Sequence, residues 1–182
     1  MGHISTARNH GYAGLFIACF FALTSSAQIH IRGQQPEMVF LPLYEMTMPV
    51  DGVVISGHGW RGGRVHHGLD ITQCNYDTAV SAWDGVVRYA RNGWNGGYGN
   101  LVIVLHSNGL ETYYAHFRKL LVVEGQTVQQ NDPVGIVGST GNSLGAHLHY
   151  EVRYHGLSID PETIHQNPVL WLEKKGNHYI VK

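Results

Sequence analysis

Residues 101–116, LVIVLHSNGLETYYAH, carry the clearest secondary-structure pattern in this sequence. Residues 101–106 form a continuous apolar run, which is typical of a strand covered on both faces. Asn108 and Gly109 follow, a pair that favours the two-residue turn of a β-hairpin. Residues 111–116 then supply the return strand. The sequence therefore predicts an antiparallel hairpin at this point.

Shorter strand patterns continue on both sides of the hairpin, separated by turn-forming residues about every 8–12 positions. They cover residues 53–55, 85–90, 134–138 and 147–154. No long helix is predicted, and residues 161–164 are expected to form a single helical turn capped by Asp160. This pattern predicts an all-β, strand-dominated domain over residues 46–172, with antiparallel strands in a sandwich or barrel-like arrangement.

The composition fits this fold class and excludes one class of partner. The chain has 182 residues, of which 23 are glycine and only 14% are charged, which suits short strands and tight turns. Its 12 Lys and Arg residues face 13 Asp and Glu residues without any basic run, so a nucleic-acid-binding surface is excluded. The 13 histidines are many, and histidine is the commonest metal ligand, which favours a metal site.

The first 27 residues have the three parts of a secretory signal peptide. Arg8 is their only Lys, Arg, Asp or Glu, an apolar run of 11 residues covers 13–23, and small residues occupy Ser25 and Ala27. The alternative is a retained membrane anchor, but the apolar run is shorter than the ~20 residues that span a bilayer. We therefore expect export across the inner membrane to a periplasmic or extracellular location.

The rest of the chain divides around the predicted β domain. Residues 28–45 form a lead-in segment that is too short to be a domain, and residues 173–182 form a C-terminal tail. Once the signal peptide is removed, Cys74 is the one remaining cysteine. A single cysteine cannot form an internal disulfide, so the fold is not predicted to depend on one.

Two histidine patterns carry the chemistry. His147 and His149 are two apart, and on a strand they project to the same face. His66 and Asp70 are four apart, and Gly68 between them lets a loop turn both side chains toward one point. Imidazole nitrogen and carboxylate oxygen are both zinc donors, and a catalytic zinc usually keeps three protein ligands plus water.

Spacing alone leaves the ligand set open. Two donors from His66 and Asp70 and one from the His147 and His149 pair complete a count of three, but spacing does not choose between His147 and His149. It does not exclude His67 either, although a role beside the site is the favoured interpretation for that residue. His116, in the sequence Tyr-Ala-His at the end of the predicted hairpin, is a further group beside the metal.

Taken together and in order, these motifs resemble the M23 peptidases, the lysostaphin-type or LytM-type endopeptidases. The resemblance covers residues 49–161 and rests on five stretches: 59–71, 114–116, 125–128, 135–143 and 147–152. It implies a lysostaphin-like antiparallel β core with a groove over a zinc site. It also implies that the substrates are peptides of bacterial peptidoglycan, cut at a stem-peptide cross-link or a bridge.

The resemblance further implies a role for each residue of the site. His66, Asp70 and His149 are expected to hold one Zn²⁺, and His116 and His147 are the expected catalytic histidines. Zinc lowers the pKa of a bound water toward ~7, and a neutral histidine can take the proton of that water. Which of the two histidines serves as base and which binds the oxyanion stays open.

Other groups are expected around the site. No HExxH sequence is present, and Glu151, on the same strand face as His149, is an alternative base for which a supporting role is favoured. Trp94 and Tyr98 lie in a loop rich in Asn and Gly and are predicted to contact the substrate.

The sequence also departs from the family pattern at three positions. Asn131 stands where a glycine is usual, and Asn tolerates a positive φ better than most residues. Leu144 and Ala146 replace the usual threonine and proline, which is expected to reshape the groove wall. The alternative function is a non-catalytic, zinc-bound, wall-binding regulator of other wall hydrolases, although all five expected chemical positions are intact.

Overall fold

The computed structural model describes residues 37–42, 46–72, 77–167, 169–175 and 178–181. The predicted signal peptide and Cys74 lie outside these residues. Within the described ranges, no helix has the length and hydropathy needed to cross a membrane. The described chain is dominated by short strands, as the sequence pattern predicts.

The described strands are, in chain order, β1 (Glu37–Pro42), β2 (Val53–Ser56), β3 (Gly59–Arg61), β4 (Arg64–His66), β5 (Leu69–Thr72), β6 (Thr78–Val80), β7 (Gly85–Arg91), β8 (Asn100–His106), β9 (Leu110–Phe117), β10 (Lys119–Leu120), β11 (Thr127–Val128), β12 (Pro133–Ile136), β13 (Leu148–Tyr154), β14 (Leu157–Ile159), β15 (Val169–Lys175) and β16 (His178–Val181). A 3₁₀ turn covers Asn95–Gly97, and one helix, α1, covers Pro161–Gln166. Asp160 caps α1 as predicted, because its side chain accepts a hydrogen bond from the backbone N–H of Glu162 at 3.0 Å.

The largest sheet has the strand order β11-β7-β8-β9-β13-β5-β2, and β14 pairs with β13. All of its pairs are antiparallel, which confirms the predicted fold class. The predicted hairpin forms β8 and β9 near the middle of this sheet. Smaller sheets have the orders β10-β12-β6, β3-β4 and β1-β15-β16, so β1, within the predicted lead-in, pairs with β15.

Both faces of the central strands are buried, as the apolar run of β8 predicts. One face packs into the main core, where the Tyr114 and Tyr150 rings lie 5.6 Å apart and Ala79 and Val134 of the smaller sheet join them. The other face carries a second cluster made of Leu101, Ile103, Tyr113 and Ala115, with Tyr98 packed against it. The candidate site lies on this second face.

The structure corrects the prediction for residues 66–70. The connection is shorter than predicted, because His66 ends β4 and Asp70 lies within β5, which leaves only residues 67 and 68 between the strands. The chain bends at Gly68 as predicted, and the structure gives a second reason for glycine at this position. A Cβ atom placed on it would lie 2.1 Å from the carbonyl oxygen of Tyr150, so glycine is required there for close approach of two backbones. Asn131, in contrast, has the predicted positive φ, at +70°.

Candidate functional site

Three ligand atoms converge where the β3–β4 hairpin meets the middle of the large sheet. His66 Nε2 lies 3.1 Å from Asp70 Oδ1 and 3.2 Å from His149 Nδ1. His149 Nδ1 lies 2.8 Å from Asp70 Oδ1. Asp70 and His149 are direct partners in the pairing of β5 with β13, which fixes two of the three donors relative to each other. Such a group can hold a metal ion.

The second nitrogen of each ligand histidine is already engaged. His66 Nδ1 lies 2.7 Å from the carbonyl oxygen of Gly57, and His149 Nε2 lies 2.8 Å from Glu151 Oε1. Both oxygens can only accept, so these two nitrogens carry protons, and the facing nitrogens are the atoms that could bind a metal. Two imidazole nitrogens and a carboxylate oxygen directed at one point can share a cation, which takes the place of a proton between them. The chemistry of the donor set therefore fits a divalent metal.

The electrostatics of the group point the same way. Burial alone would raise the pKa of Asp70, but its hydrogen bond with His149 and the charges of His149 and His66 hold that pKa well below its usual range. Burial alone would lower the pKa of His149, yet its hydrogen bonds to Asp70 and Glu151 raise that pKa to about 9. The cluster thus attracts a positive charge to the point where the donors meet.

Glu151 accepts a hydrogen bond from Nε2 of His149, and the side chains of Tyr98 and Arg153 donate to it in turn. It is fully buried, and its Oε1 accepts from the Tyr98 hydroxyl at 2.9 Å while Arg153 Nε donates to Oε2 at 2.5 Å. Arg153 also donates to the Tyr98 hydroxyl oxygen at 2.8 Å. Burial alone would raise the pKa of Glu151, but the hydrogen bonds from His149 and Arg153 lower it to about 2. Sequence reasoning missed Arg153, although residues 149, 151 and 153 share one strand face.

His116 reaches the site through a β-bulge. Between the pairs Asn100–Phe117 and Val102–Tyr114, one residue of β8 faces two residues of β9. His116 is one of these two and has a φ of +63°. A non-glycine residue with this backbone conformation is uncommon and costs about 1–3 kcal/mol, which is typical of a functional position.

The bulge decides which way the His116 ring points. Ala115 is paired with His149 and shares its face, so strict alternation would send His116 to the opposite face. Instead the His116 ring lies 5.9 Å from the His149 ring, and Phe117 enters the main core. Its Nδ1 lies 2.7 Å from the carbonyl oxygen of Thr140, which leaves Nε2 available.

His147 completes the histidine cluster. It precedes β13 and bridges to Gly138, so β13 begins one residue later than predicted. Its ring lies 4.7 Å from that of His116, and its Nε2 lies 3.6 Å from Asp70 Oδ1. Its Nδ1 is held 2.9 Å from the carbonyl oxygen of Gly145. His116 and His147 therefore lie together beside the three donors.

The other predicted residues are divided between the site and its surroundings. His67 is exposed, and its Nδ1 contacts the Ser158 hydroxyl at 2.9 Å rather than the donor group. Tyr98 lines the cleft over the site, which has a volume of about 850 Å³, and so do Leu144 and Ala146. Trp94 is exposed but is not among the residues that line this cleft.

Curated relatives match this part of the chain. It is 40% identical over 107 residues to the DD-carboxypeptidase/endopeptidase Mpg of Neisseria meningitidis, covering 59% of this chain and 24% of that protein. It is 38% identical over 120 residues to the murein hydrolase activator NlpD of Salmonella dublin, covering 66% of this chain and 31% of that protein. The chain thus spans about a quarter to a third of the length of these relatives.

Solved structures show the same fold. The catalytic domain of the antimicrobial peptidase lysostaphin from Staphylococcus simulans has a TM-score of 0.57 and 25% identity, over 64% of this chain and 93% of that one. A zinc-containing peptidase from Vibrio cholerae has a TM-score of 0.54 and 30% identity, over 66% of this chain and 39% of that one. Residues 64–161, more than half of the chain, match peptidase family M23. With its lysostaphin-like β core and its donor group, the chain belongs to peptidase family M23.

Proposed function

We propose that this protein is a zinc-dependent endopeptidase that hydrolyses peptide bonds of bacterial peptidoglycan. The observation that carries the proposal is the group of three ligand atoms, all within 3.2 Å of one another, with two further histidines beside it. The relatives named as a DD-carboxypeptidase/endopeptidase and as a murein hydrolase activator support peptidoglycan as the substrate class.

The donor set suits zinc. His66, Asp70 and His149 would hold the ion through two neutral imidazole nitrogens and one carboxylate oxygen, a count that leaves a position open. When bound, zinc supplies Lewis acidity, which lowers the pKa of a water molecule toward ~7 and polarises a carbonyl group. The zinc content named for the Vibrio cholerae structure supports this choice of metal.

The two remaining histidines would move protons. Burial and the neighbouring His147 and His149 lower the pKa of His116 to about 4, although its hydrogen bond to Thr140 raises it. His116 is therefore neutral near neutral pH, and its Nε2 can accept a proton from the attacking water. His147 Nε2, directed to the same place, can deliver a proton to the leaving amine or donate to the developing oxyanion.

The cleft gives an extended peptide a place to bind. Gly96 and Gly97 line it without side chains, which permits a substrate backbone to come close. Leu144 is fully exposed and Tyr98 is half-buried, so both offer apolar surface to the substrate. We include Trp94 as a more distant contact for a longer peptide, beyond the cleft itself.

The proposed place of action is the cell envelope. The predicted signal peptide of residues 1–27 would direct the chain across the inner membrane. The murein hydrolase activator among its relatives, and another relative named outer membrane antigenic lipoprotein B from Haemophilus influenzae at 35% identity, support an envelope location. If the N-terminal segment is retained, the same domain would work from a membrane anchor.

The similarity to NlpD favours one second candidate, a non-catalytic regulator of other wall hydrolases. The endopeptidase and the regulator would both bind zinc and peptidoglycan. They would differ only in whether they hydrolyse peptide bonds. The presence of His116 and His147 beside the donor group supports the enzyme, because a regulator has no need of proton-transfer groups there.

The deciding experiment is to incubate the purified zinc-loaded protein with purified cell walls and to identify released peptides by mass spectrometry. Parallel reactions contain a chelator, or a chelator followed by excess zinc. The endopeptidase predicts new peptide ends that vanish with the chelator and return with zinc. His155→Gln, exposed on the turn after β13, is a matched control that should keep activity. No chelator-sensitive product on any wall type would favour the regulator.

A further inference from the structure

Arg61 and Arg64 line the cleft together with His66. Arg61 and Arg64 face each other across the β3–β4 hairpin, whose turn residues Gly62 and Gly63 both have positive φ. Both side chains are exposed and line the cleft. They are the only Lys or Arg side chains among the described residues that line it.

Neither arginine forms an ion pair with a carboxylate in the described part of the chain. The two carboxylates of the cleft are engaged elsewhere, Asp70 with the ligand histidines and Glu151 with Arg153. The uncompensated charge of the cleft wall is therefore positive. A divalent metal on the donor group would add to it, because one carboxylate among its ligands neutralises only half of its charge.

Arg61 is fixed in place by the same carbonyl group that holds a ligand. Its Nη2 donates to the carbonyl oxygen of Gly57 at 2.5 Å, the atom that also accepts from His66 Nδ1. The guanidinium group thereby stays within 3.2 Å of His66 Nδ1, and its other N–H groups remain available. Arg61 contacts Nδ1 of His66, and Nε2 of the same ring belongs to the donor group. An anion bound to the Arg61 guanidinium group would therefore lie close to the donor group.

We infer that Arg61 and Arg64 form a subsite for a free carboxylate of the peptide substrate, close to the scissile bond. The inference rests on the proposed function and narrows its substrate class. A guanidinium group is a planar fork that binds a carboxylate through two parallel hydrogen bonds. Peptides that carry a carboxylate near the cleaved bond, such as cross-linked stem peptides, are preferred over an uncharged glycine bridge.

The carboxylate can come from two positions in a peptide, a C-terminus or an internal branch. The test therefore uses four synthetic cross-linked peptides of one sequence: both carboxylates free, only the C-terminal one amidated, only the internal one amidated, and both amidated. The zinc-loaded full chain is assayed for kcat/KM on each. Equilibrium dissociation constants are then measured by calorimetry with a chelator present, so that nothing is cut.

We expect amidation of the recognised carboxylate to lower kcat/KM and binding about ten-fold in the wild-type protein. Amidation of the other carboxylate should leave kcat/KM and binding nearly unchanged. The comparison therefore shows whether the C-terminal or the internal carboxylate is recognised. Arg64→Gln should bring the ratio of kcat/KM between the free and the amidated peptide close to one, and Arg64→Lys should restore part of that ratio. Lys119→Gln removes a positive charge from exposed β10 and should keep the full preference.

The outcomes separate this inference from the proposed function. If Arg64→Gln keeps the wild-type preference for the carboxylate in both readouts, the subsite is wrong even though the enzyme is active. If nothing is cleaved but binding shows the preference and its loss in Arg64→Gln, the endopeptidase proposal fails while the carboxylate subsite stands. Equal binding of all four peptides to the wild-type protein would also overturn the subsite.

Discussion

Nε2 of His149 lies 2.8 Å from Oε1 of Glu151, whose side chain is fully buried. Because the carboxylate can only accept, it fixes which nitrogen of His149 carries the proton. The other nitrogen, Nδ1, is thereby turned toward Asp70 Oδ1 and is the atom that would bind a metal. A buried carboxylate behind a ligand histidine is the arrangement that orients the ring and raises its basicity in metal sites.

The first prediction concerns this support. Glu151→Gln removes the negative charge behind His149, and we expect zinc affinity to fall about ten-fold or more. The measurement is zinc competition against a chromophoric chelator, with thermal unfolding as a check that the variant folds. Glu151→Asp, which keeps the charge, should lose less affinity than Glu151→Gln.

Glu124→Gln is the matched control, since Glu124 pairs with Arg91 on the surface at side chains that are both exposed. Its zinc affinity should equal that of the wild type. If Glu151→Gln binds zinc as tightly as this control, Glu151 does not support the ligand.

The second prediction separates the two proposed kinds of histidine. His116→Ala and His147→Ala should each keep about one zinc ion per chain but lose about 10²–10⁴-fold in turnover, because proton transfer is lost while the three donors remain. His149→Ala should lose the zinc as well as the activity. The measurements are metal content of the dialysed protein and the rate of peptide release from cell walls. Zinc lost from both single variants, with His149→Ala fully active, would refute the assignment.

The third prediction tests why residue 68 is glycine. Gly68→Ala should lower the free energy of unfolding by about 2 kcal/mol or more, because the added Cβ would lie 2.1 Å from the Tyr150 carbonyl oxygen and 2.8 Å from Glu151 Cγ. Urea denaturation measures the change. Gly145→Ala is the control, since its Cβ would meet no atom within 4 Å. Equal stability of the two variants would show that β5 and β13 can separate at this point without cost.

The fourth prediction concerns stability in acid. His106 is 2% exposed, with Nδ1 2.9 Å from the Asp84 carbonyl oxygen and Nε2 2.9 Å from the Thr112 hydroxyl. Burial lowers the pKa of His106 below its ordinary value, although the hydrogen bond to Asp84 raises it. As the pH falls below about 6.5, the unfolded chain takes up this proton before the folded chain does. The contribution of His106 to stability should therefore be full above that pH and decline below it.

The measurement is the urea midpoint of the metal-free protein between pH 7.5 and pH 5. His106→Gln cannot titrate and should show a shallower decline than the wild type, whatever its absolute stability. A decline should remain, because burial also lowers the pKa values of His116 and His165. His155→Gln, exposed on a turn, should keep the wild-type slope. An unchanged slope in His106→Gln would contradict the prediction.

Much of this fold can be predicted from local sequence patterns. The apolar run at 101–106, the Asn-Gly turn and the return strand predict the β8–β9 hairpin, because strand and turn preferences act over neighbouring residues. The Asp160 cap and the Pro161 start of α1 are predicted for the same reason. The β3–β4 hairpin and the strand character of residues 69–72 were not predicted, since these short strands are formed by pairing with distant segments.

The candidate site also has one part that the sequence predicts and another that depends on the tertiary structure. The candidate donors are predictable from local patterns, because two residues two apart on a strand share a face and because the ordered motifs resemble one family. Only the tertiary structure brought His66, Asp70 and His149 within 3.2 Å and directed His67 toward Ser158 instead. Strand pairing across 79 residues of chain creates that contact, and no local pattern encodes it.

His116 shows most clearly that the direction of a side chain can depend on the tertiary structure. Regular alternation along β9 would place it in the core, opposite His149. One extra residue at the bulge and a left-handed backbone conformation return it to the face of the donors. A bulge arises from the register of two strands, a relation between distant segments. The identity of the residue is therefore a property of the sequence, and its direction is a property of the fold.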